Sequence, residues 1–449
     1  MQFDRRWFLS HGAAAGLSAP DPALARRLTA ELDKVRLFDT HEHLLPERQR
    51  VAEDADIFLF LGHYALNDLI SAGLSGAALE TVRDAKAPEA VRWKAVEPYW
   101  KAARLTGYCQ AFSIAIRDLY GVEDLSAGTI GRVNGAIRER NRAGLYQRIL
   151  QEKAGIDWCL VDSYWNEKPA PASEPMFLLV QKFDGFVTPA SRKDIDRLEQ
   201  ISGVAIHSLD GLEKALEATF EQARRAGMTA VKSTLAYRRE IYYAEVTARD
   251  AAADFEAMLK GGVERPQGFR AAKIRPFRNL EDHMFHRLVQ LAAEHRLPFQ
   301  IHTGLLAGNA CFLENTHPRH LTNLFYLYPG VKFDLFHIGY PYQQELGVLA
   351  KLFPNVYVDF CWAHIISPPA ARNALDEYLE TVPANKILGF GGDYRYPEMT
   401  YGHSRIARAN VAGVLASKVA ARLMPEDQAL AVGRMLLREN GMTLFPPPQ

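Results

Sequence analysis

Eight short runs of β-forming residues recur along this chain from residue 36 onward, each ending in polar residues, with helix-like stretches between most of them. The runs cover residues 36–40, 158–162, 177–180, 230–232, 299–302, 333–337, 356–360 and 387–391. Such alternation fits either a closed parallel barrel or a doubly wound open sheet. An open sheet of that kind usually carries a Gly-rich phosphate turn after its first strand. Here the first run leads into His41-Glu42-His43 instead, so the pattern predicts the α/β class and a (β/α)8 TIM barrel. Residues 212–226 show helical phasing and end on Gly227, a C-terminal cap.

The interval from about residue 47 to 150 holds no convincing strand and contains helical segments such as 79–86 and 129–150. It reads as a helical insertion after strand 1 that covers the barrel mouth. Residues 405–437 are helix-like apart from a break at Met424-Pro425-Glu426, and Pro446-Pro447-Pro448 forms an extended tail. No repeat at a solenoid period is present. A single barrel over residues 26–449 follows, within the size range of barrels with insertions.

Lys plus Arg and Asp plus Glu stand at 53 each. That balance provides no overall field for nucleic acid or an anionic membrane, and a small-molecule substrate is the expected partner. No stretch reaches the roughly 18 apolar residues of a membrane helix. Cys109, Cys159, Cys311 and Cys361 form no C-x-x-C pair, and all four are expected as buried free thiols. At the N-terminus, Arg5-Arg6-Trp7-Phe8-Leu9 precedes a run of small residues and Ala23-Leu24-Ala25, a pattern similar to a twin-arginine export signal. Pro20-Asp21-Pro22 fits an ordinary capped helix start equally well. Both readings, exported and cytoplasmic, stay open, and residues 1–25 stand apart from the barrel.

Side chains two apart on a strand share a face, so His41 and His43 can meet one cation. Four more polar residues fall at other predicted strand ends: Lys232, His302, His337 and Asp393. In a barrel these ends converge on the active face. Taken singly, each has an ordinary explanation as a cap, a solvated lysine or a turn residue; their joint placement does not. Imidazoles with a carboxylate suit zinc or a similar divalent ion, which can turn bound water into hydroxide near neutral pH. Asp393 could touch the metal and accept the proton, and His337 could align the water or donate to a leaving group. Arg117, Tyr237, Arg238, His364, Glu398 and His403 are further candidates for the pocket wall, with the basic Arg238-Arg239 run suited to an acidic substrate.

Phe38-Asp39-Thr40-His41-Glu42-His43, Gln300-Ile301-His302-Thr303-Gly304, Phe336-His337-Ile338-Gly339-Tyr340-Pro341 and Gly391-Gly392-Asp393 resemble the amidohydrolase superfamily. The likeness is to its amidohydrolase-related branch, with the FluG-like and nodulin-like domains and carboxymuconate-semialdehyde decarboxylase, and it covers most of residues 36–440. The resemblance implies one divalent metal, usually zinc with manganese as the other candidate, on His41, His43, His302 and Asp393, with His337 as catalytic histidine. Lys232 would bridge two metals in other branches; here it is read as holding a substrate carboxylate, together with Tyr237, Arg238 and His364. The insertion, with Trp93, Trp100 and Tyr108, is loosely similar to uronate isomerases, and at least two of these aromatics are expected in the core. The leading expectation is a metal-dependent hydrolase, with a decarboxylase or uronate-type isomerase on the same metal as the alternative and a non-catalytic binding barrel behind both. Superfamily members often form homo-oligomers.

Overall fold

The computed structural model describes residues 22–162, 168–261 and 276–448. Eight strands lie side by side in sequence order, all parallel: β1 Leu37–Glu42, β2 Ile156–Asp162, β3 Phe177–Lys182, β4 Met228–Ser233, β5 Phe299–Ile301, β6 Phe333–Leu335, β7 Val356–Asp359 and β8 Ile387–Leu388. The loop just past β8 completes the ring on β1, because Thr40 N donates to Phe390 O at 3.1 Å and Asp393 N to His41 O at 2.8 Å. This is the (β/α)8 barrel that the strand pattern predicts.

Each strand is short and buried on both faces, as expected where helices cover the outside and side chains fill the inside. β5, β6 and β8 stop before the ends expected from sequence. His302 therefore stands on the first residue past β5, and His337 on the second past β6, within the 3-10 turn Phe336–Gly339.

A helix α1 (Pro22–Leu32) precedes the barrel and buries Leu24, Leu28 and Leu32, one per turn. Ala23-Leu24-Ala25 lies in its first turn, while the arginine-led segment lies outside the described residues. Between β1 and β2 the insertion is helical throughout its regular parts, with α2 (Glu89–Ala103) and α3 (Gly107–Tyr120) as its longest members. Trp93 and Trp100 pack inside it. Tyr108 is also buried, but stacks on Tyr64 and Trp362 toward the barrel mouth, with ring centroids 5.3 and 6.0 Å away. A further helix, α4 (Leu209–Arg225), is capped by Ser208, whose side chain accepts from Gly211 N, and is followed by Gly227 at φ 93°.

The long C-terminal helix α5 (Pro397–Ala420) packs on both α1 and α3. A buried Arg50–Glu398 pair at 2.7 Å, with Tyr120 Oη donating to Glu398 at 3.2 Å, ties the insertion to α5. Breaking such a pair by removing one partner costs about 3–5 kcal/mol, because the other charge is left buried alone. Glu398 is thus a clasp between insertion and barrel and not a pocket residue. Arg117 lies on the outer side of α3, paired with Asp118 and 46% exposed in its side chain, and it too is not at the pocket. Cys109, Cys159 and Cys361 are buried as expected; Cys311 is exposed on the loop after β5, which corrects the expectation of four buried thiols. No helix among the described residues is long and apolar enough to cross a membrane.

Candidate active site

His41 and His43 leave β1 on the same face, and their Nε2 atoms lie 3.4 Å apart. Asp393 reaches them from the turn after β8: its Oδ1 is 3.2 Å from His43 Nε2 and 3.6 Å from His41 Nε2. Asp393 has φ 58°, in the left-handed region that a non-glycine residue occupies only when its surroundings hold it there. Those surroundings are explicit. Gly392 N donates to Asp39 Oδ1 at 3.0 Å, Tyr394 N donates to Glu42 Oε2 at 2.7 Å, and a His403 ring nitrogen lies 3.0 Å from Gly392 O. Glycine is required at 392, since a Cβ there would stand 1.9 Å from Glu42 Oε1.

On the opposite side, His302 Nδ1 and His337 Nε2 are 3.1 Å apart, and His337 Nε2 is 3.8 Å from Asp393 Oδ2. His337 also has a left-handed backbone, φ 62°, followed by Ile338 at φ 49°. The outer nitrogens of three imidazoles rest on carbonyl oxygens: His43 Nδ1 on Asp162 O at 3.1 Å, His302 Nε2 on Leu305 O at 2.9 Å and His337 Nδ1 on Cys361 O at 2.8 Å. A carbonyl accepts only, so each outer nitrogen carries the ring's hydrogen and each inner nitrogen presents a lone pair. Burial disfavours protonation of His41, His302 and His337, holding His41 and His337 well below the ordinary histidine range and His302 down at about 3.

Several lone pairs and a carboxylate therefore converge with few hydrogens between them. That arrangement repels itself unless a cation sits within it, and a nitrogen–oxygen donor set of this kind fits a divalent ion. His41, His43 and Asp393 would hold it. Asp162 is a further carboxylate that the strand-end reasoning passed over: His41, His43 and Asp162 each offer a ligand atom within 4.8 Å of the others. Its Oδ2 also pairs with Lys182 Nζ at 3.3 Å.

The floor opens into a cavity of about 420 Å³ lined by His41, His43, His302 and Asp393, with Lys182, Lys232 and Tyr237 on its walls. Lys232 is 1% exposed, and its Nζ has no hydrogen-bond partner among the described residues. It stands 3.0 Å from the centroid of the Phe336 ring, and burial lowers its pKa to about 8. Tyr237 Oη accepts from Ala307 N at 2.9 Å, which leaves its hydroxyl hydrogen available to a ligand. His63 and Tyr64 of the insertion complete the wall, so the insertion does reach the mouth. Neither of these two carried a strand-end signal; Lys182, the last residue of β3, stands two residues past the run read from sequence and was passed over like Asp162.

Besides Glu398 and Arg117, three expected wall residues are elsewhere. Arg238 is exposed and outside the cavity lining, because the 3-10 turn Leu235–Tyr237 points Tyr237 inward and carries the next side chain away. His364 is buried behind β8, with Nε2 3.0 Å from Gly389 O and Nδ1 3.1 Å from Asn410 Nδ2. The short helix Ala363–Ile366 turns its ring toward α5. His403 likewise faces the back of the Gly391-Gly392-Asp393 turn.

The model of the amidohydrolase family matches residues 204–440, more than half of the chain. Protein fluG of Emericella nidulans is 34% identical over 149 residues, 33% of this chain but only 17% of that protein's length. Uronate isomerase of Mesorhizobium japonicum is 25% identical over 469 residues, covering 92% of this chain and 94% of that protein. Among solved structures, uronate isomerase from Thermotoga maritima shares the fold with a TM-score of 0.79 at 17% identity, over 95% of this chain and 98% of that one. Barrel, strand-end histidines and matched model agree: this chain is an enzyme-type barrel that belongs to the amidohydrolase family.

Proposed function

We propose that this protein is a divalent-metal enzyme whose substrate is a small sugar acid, and that its reaction is the interconversion of aldehyde and ketone forms of a uronate. One observation carries the reading. A metal-competent floor of His41, His43 and Asp393 faces, within a single cavity of about 420 Å³, a buried lysine whose ammonium has no hydrogen-bond partner among the described residues. A buried cation without a partner is costly unless a ligand supplies the anion, and a carboxylate does so directly. Isomerisation is preferred over hydrolysis because the relative that this chain matches over nearly its whole length, insertion included, is a uronate isomerase. Hydrolysis is the second reading, supported by the family model and by the His/Asp set itself.

In this account Lys232 takes the substrate carboxylate, and Tyr237 donates its hydroxyl hydrogen to a sugar oxygen. A metal bound on the floor would polarise the carbonyl and the neighbouring hydroxyl. Asp393, which lines the cavity, is the base: its Oδ2, the oxygen not turned to His41 and His43, takes the proton from the hydroxyl-bearing carbon and returns it to the adjacent carbonyl carbon, while the hydroxyl hydrogen passes to the former carbonyl oxygen, so that the two forms exchange with no net gain or loss of protons. His337, 1% exposed and 3.8 Å from Asp393, acts through that carboxylate as a positioning residue.

The test is to incubate metal-supplied protein with hexuronates and, separately, with lactones and amides of similar size. Loss of the uronate aldehyde with equal gain of ketone, and no change in substrate mass, is the expected result. Turnover confined to the lactones or amides would replace isomerisation with hydrolysis, and release of carbon dioxide would point to decarboxylation.

A further inference from the structure

We propose that the foot of the barrel holds a binding site for a small organic phosphate, in a cavity of about 440 Å³ at the N-terminal ends of β1 and β2, where Arg36, Arg434 and Arg438 take the phosphate. The site lies at the opposite end of β1 from His41 and His43, and it stands or falls without the proposed reaction.

Arg36 leads into β1, and its Nε donates to Asp157 Oδ1 at 2.7 Å. Arg438 Nη1 donates to Asp157 Oδ2 at 2.6 Å and to Arg36 O at 3.1 Å. One carboxylate of β2 therefore holds two guanidiniums side by side and balances only one of their charges. Arg438 makes both of its bonds through Nη1, so its Nε and Nη2 can serve a ligand. Arg434, on the turn before it, is exposed and lines the same cavity. Behind them Arg408, 3% exposed, gives its Nη groups to the carbonyls of Leu32, Val35 and Ala154 at 2.6, 2.8 and 3.1 Å. A Cβ at Gly155 would stand 3.1 Å from Arg408 Nη2 and 3.8 Å from Arg36 Nη1, so these two guanidiniums share one corner.

Charge and backbone geometry both point to an anion here. Lys34, Arg36, Arg408, Arg434 and Arg438 stand against Glu31, Asp157 and Glu439, an excess of two positive charges in a chain whose formal total is zero. The backbone is unusual at the same corner. Among the described residues, two turns are π-helical, Gln147–Ala154 and Met435–Glu439. Both meet the arginines: Gln151 O accepts from Arg36 Nη1 at 2.6 Å, Ala154 O accepts from Arg408, and Arg438 lies within the second turn. Such turns are rare and collect at functional sites.

The donors and the volume set the class of ligand. Guanidinium forks match phosphate oxygens in bidentate pairs, and a phosphate monoester carries close to two negative charges near neutral pH, the size of the local excess. A bare phosphate would leave most of the cavity empty. Leu32, Val35 and Leu430 give it an apolar wall on which a small carbon body can rest.

The experiment titrates glucose 6-phosphate into the full chain by calorimetry, with glucose as the uncharged control. Binding of one equivalent of glucose 6-phosphate, and none of glucose, is the expected result. Lys34→Ala combined with Arg434→Ala, which removes two exposed cations, should weaken that binding by roughly 10–100-fold. Lys232→Met, at the other end of the barrel, should leave it unchanged. No binding at millimolar concentration, equal binding of glucose, or binding that is lost in Lys232→Met and kept in the double variant would overturn the proposal. A double variant that fails to fold is replaced by amide hydrogen exchange on the wild type. Protection by glucose 6-phosphate at residues 31–36 and 430–439 supports the site, and protection confined to the barrel mouth refutes it. None of these readouts involves turnover, so a chain that isomerises uronates and binds no phosphate ester would refute this site and leave the reaction standing.

Discussion

Two pairs of buried histidines follow the barrel strands or their loops, and they do opposite things. His302 and His337 are 4% and 1% exposed; His364 and His403 are both 0% exposed. Burial lowers the pKa of all four, and each rests one nitrogen on a backbone carbonyl. The difference is what the other nitrogen meets. In the first pair the inner nitrogens face each other at 3.1 Å beside the Asp393 carboxylate. In the second pair, His364 meets the Asn410 amide, and the two rings pack on Phe360 and Phe390. Strand-end position brings a residue near the site, but the side of the barrel wall on which its ring lies decides whether it faces the Asp393 carboxylate or packs within the wall.

Substitutions can break that contrast, beginning with the largest effect. Asp393→Ala removes the carboxylate shared by both halves of the floor, and kcat/KM for the uronate is expected to fall by about 10³-fold or more with loss of bound metal. Steady-state kinetics beside elemental analysis reads both. His337→Ala should lower kcat by roughly 10²-fold while the cation on His41 and His43 stays; an active variant would move His337 to the structural pair. Lys232→Met should act chiefly on KM, raising it about 10–100-fold through loss of a charge-assisted bond worth about 1.5–3 kcal/mol. Unchanged KM would remove the substrate carboxylate from that position. His364→Ala should leave metal content and kcat per folded molecule alone and lower stability by about 1–3 kcal/mol, read by denaturant unfolding. Arg117→Ala, exposed on the insertion's outer side, should change stability by no more than about 0.5 kcal/mol and activity not at all.

The same contrast explains what was legible in the sequence. Alternating apolar runs and intervening amphipathic segments are local signals, so all eight strands and their order could be read, as could the His41-x-His43 pair whose shared face follows from strand geometry. The end of a strand can be placed within a few residues, which sufficed for Lys232, His302 and Asp393. It ranked His337 above His364 but left His364 as a wall candidate, because the direction of that ring depends on the left-handed Trp362, φ 61°, which redirects the chain after β7. His63 and Tyr64 reach the cavity through tertiary contact and carry no motif of their own, whereas Lys182 closes β3 two residues past the run read from sequence. Glu398 looked like a pocket carboxylate until its partner Arg50, 348 positions away, gave it another purpose.

The most direct test of the account is elemental analysis of purified protein, chelator-washed and then resupplied with zinc or manganese, for the wild type and a His41→Ala, His43→Ala double variant. The account predicts tightly bound metal in the wild type and loss of the floor cation in the double variant, with its fold intact by circular dichroism. Equal metal in both proteins, or none in either after resupply, would contradict the assignment of His41, His43 and Asp393 as the metal-holding floor.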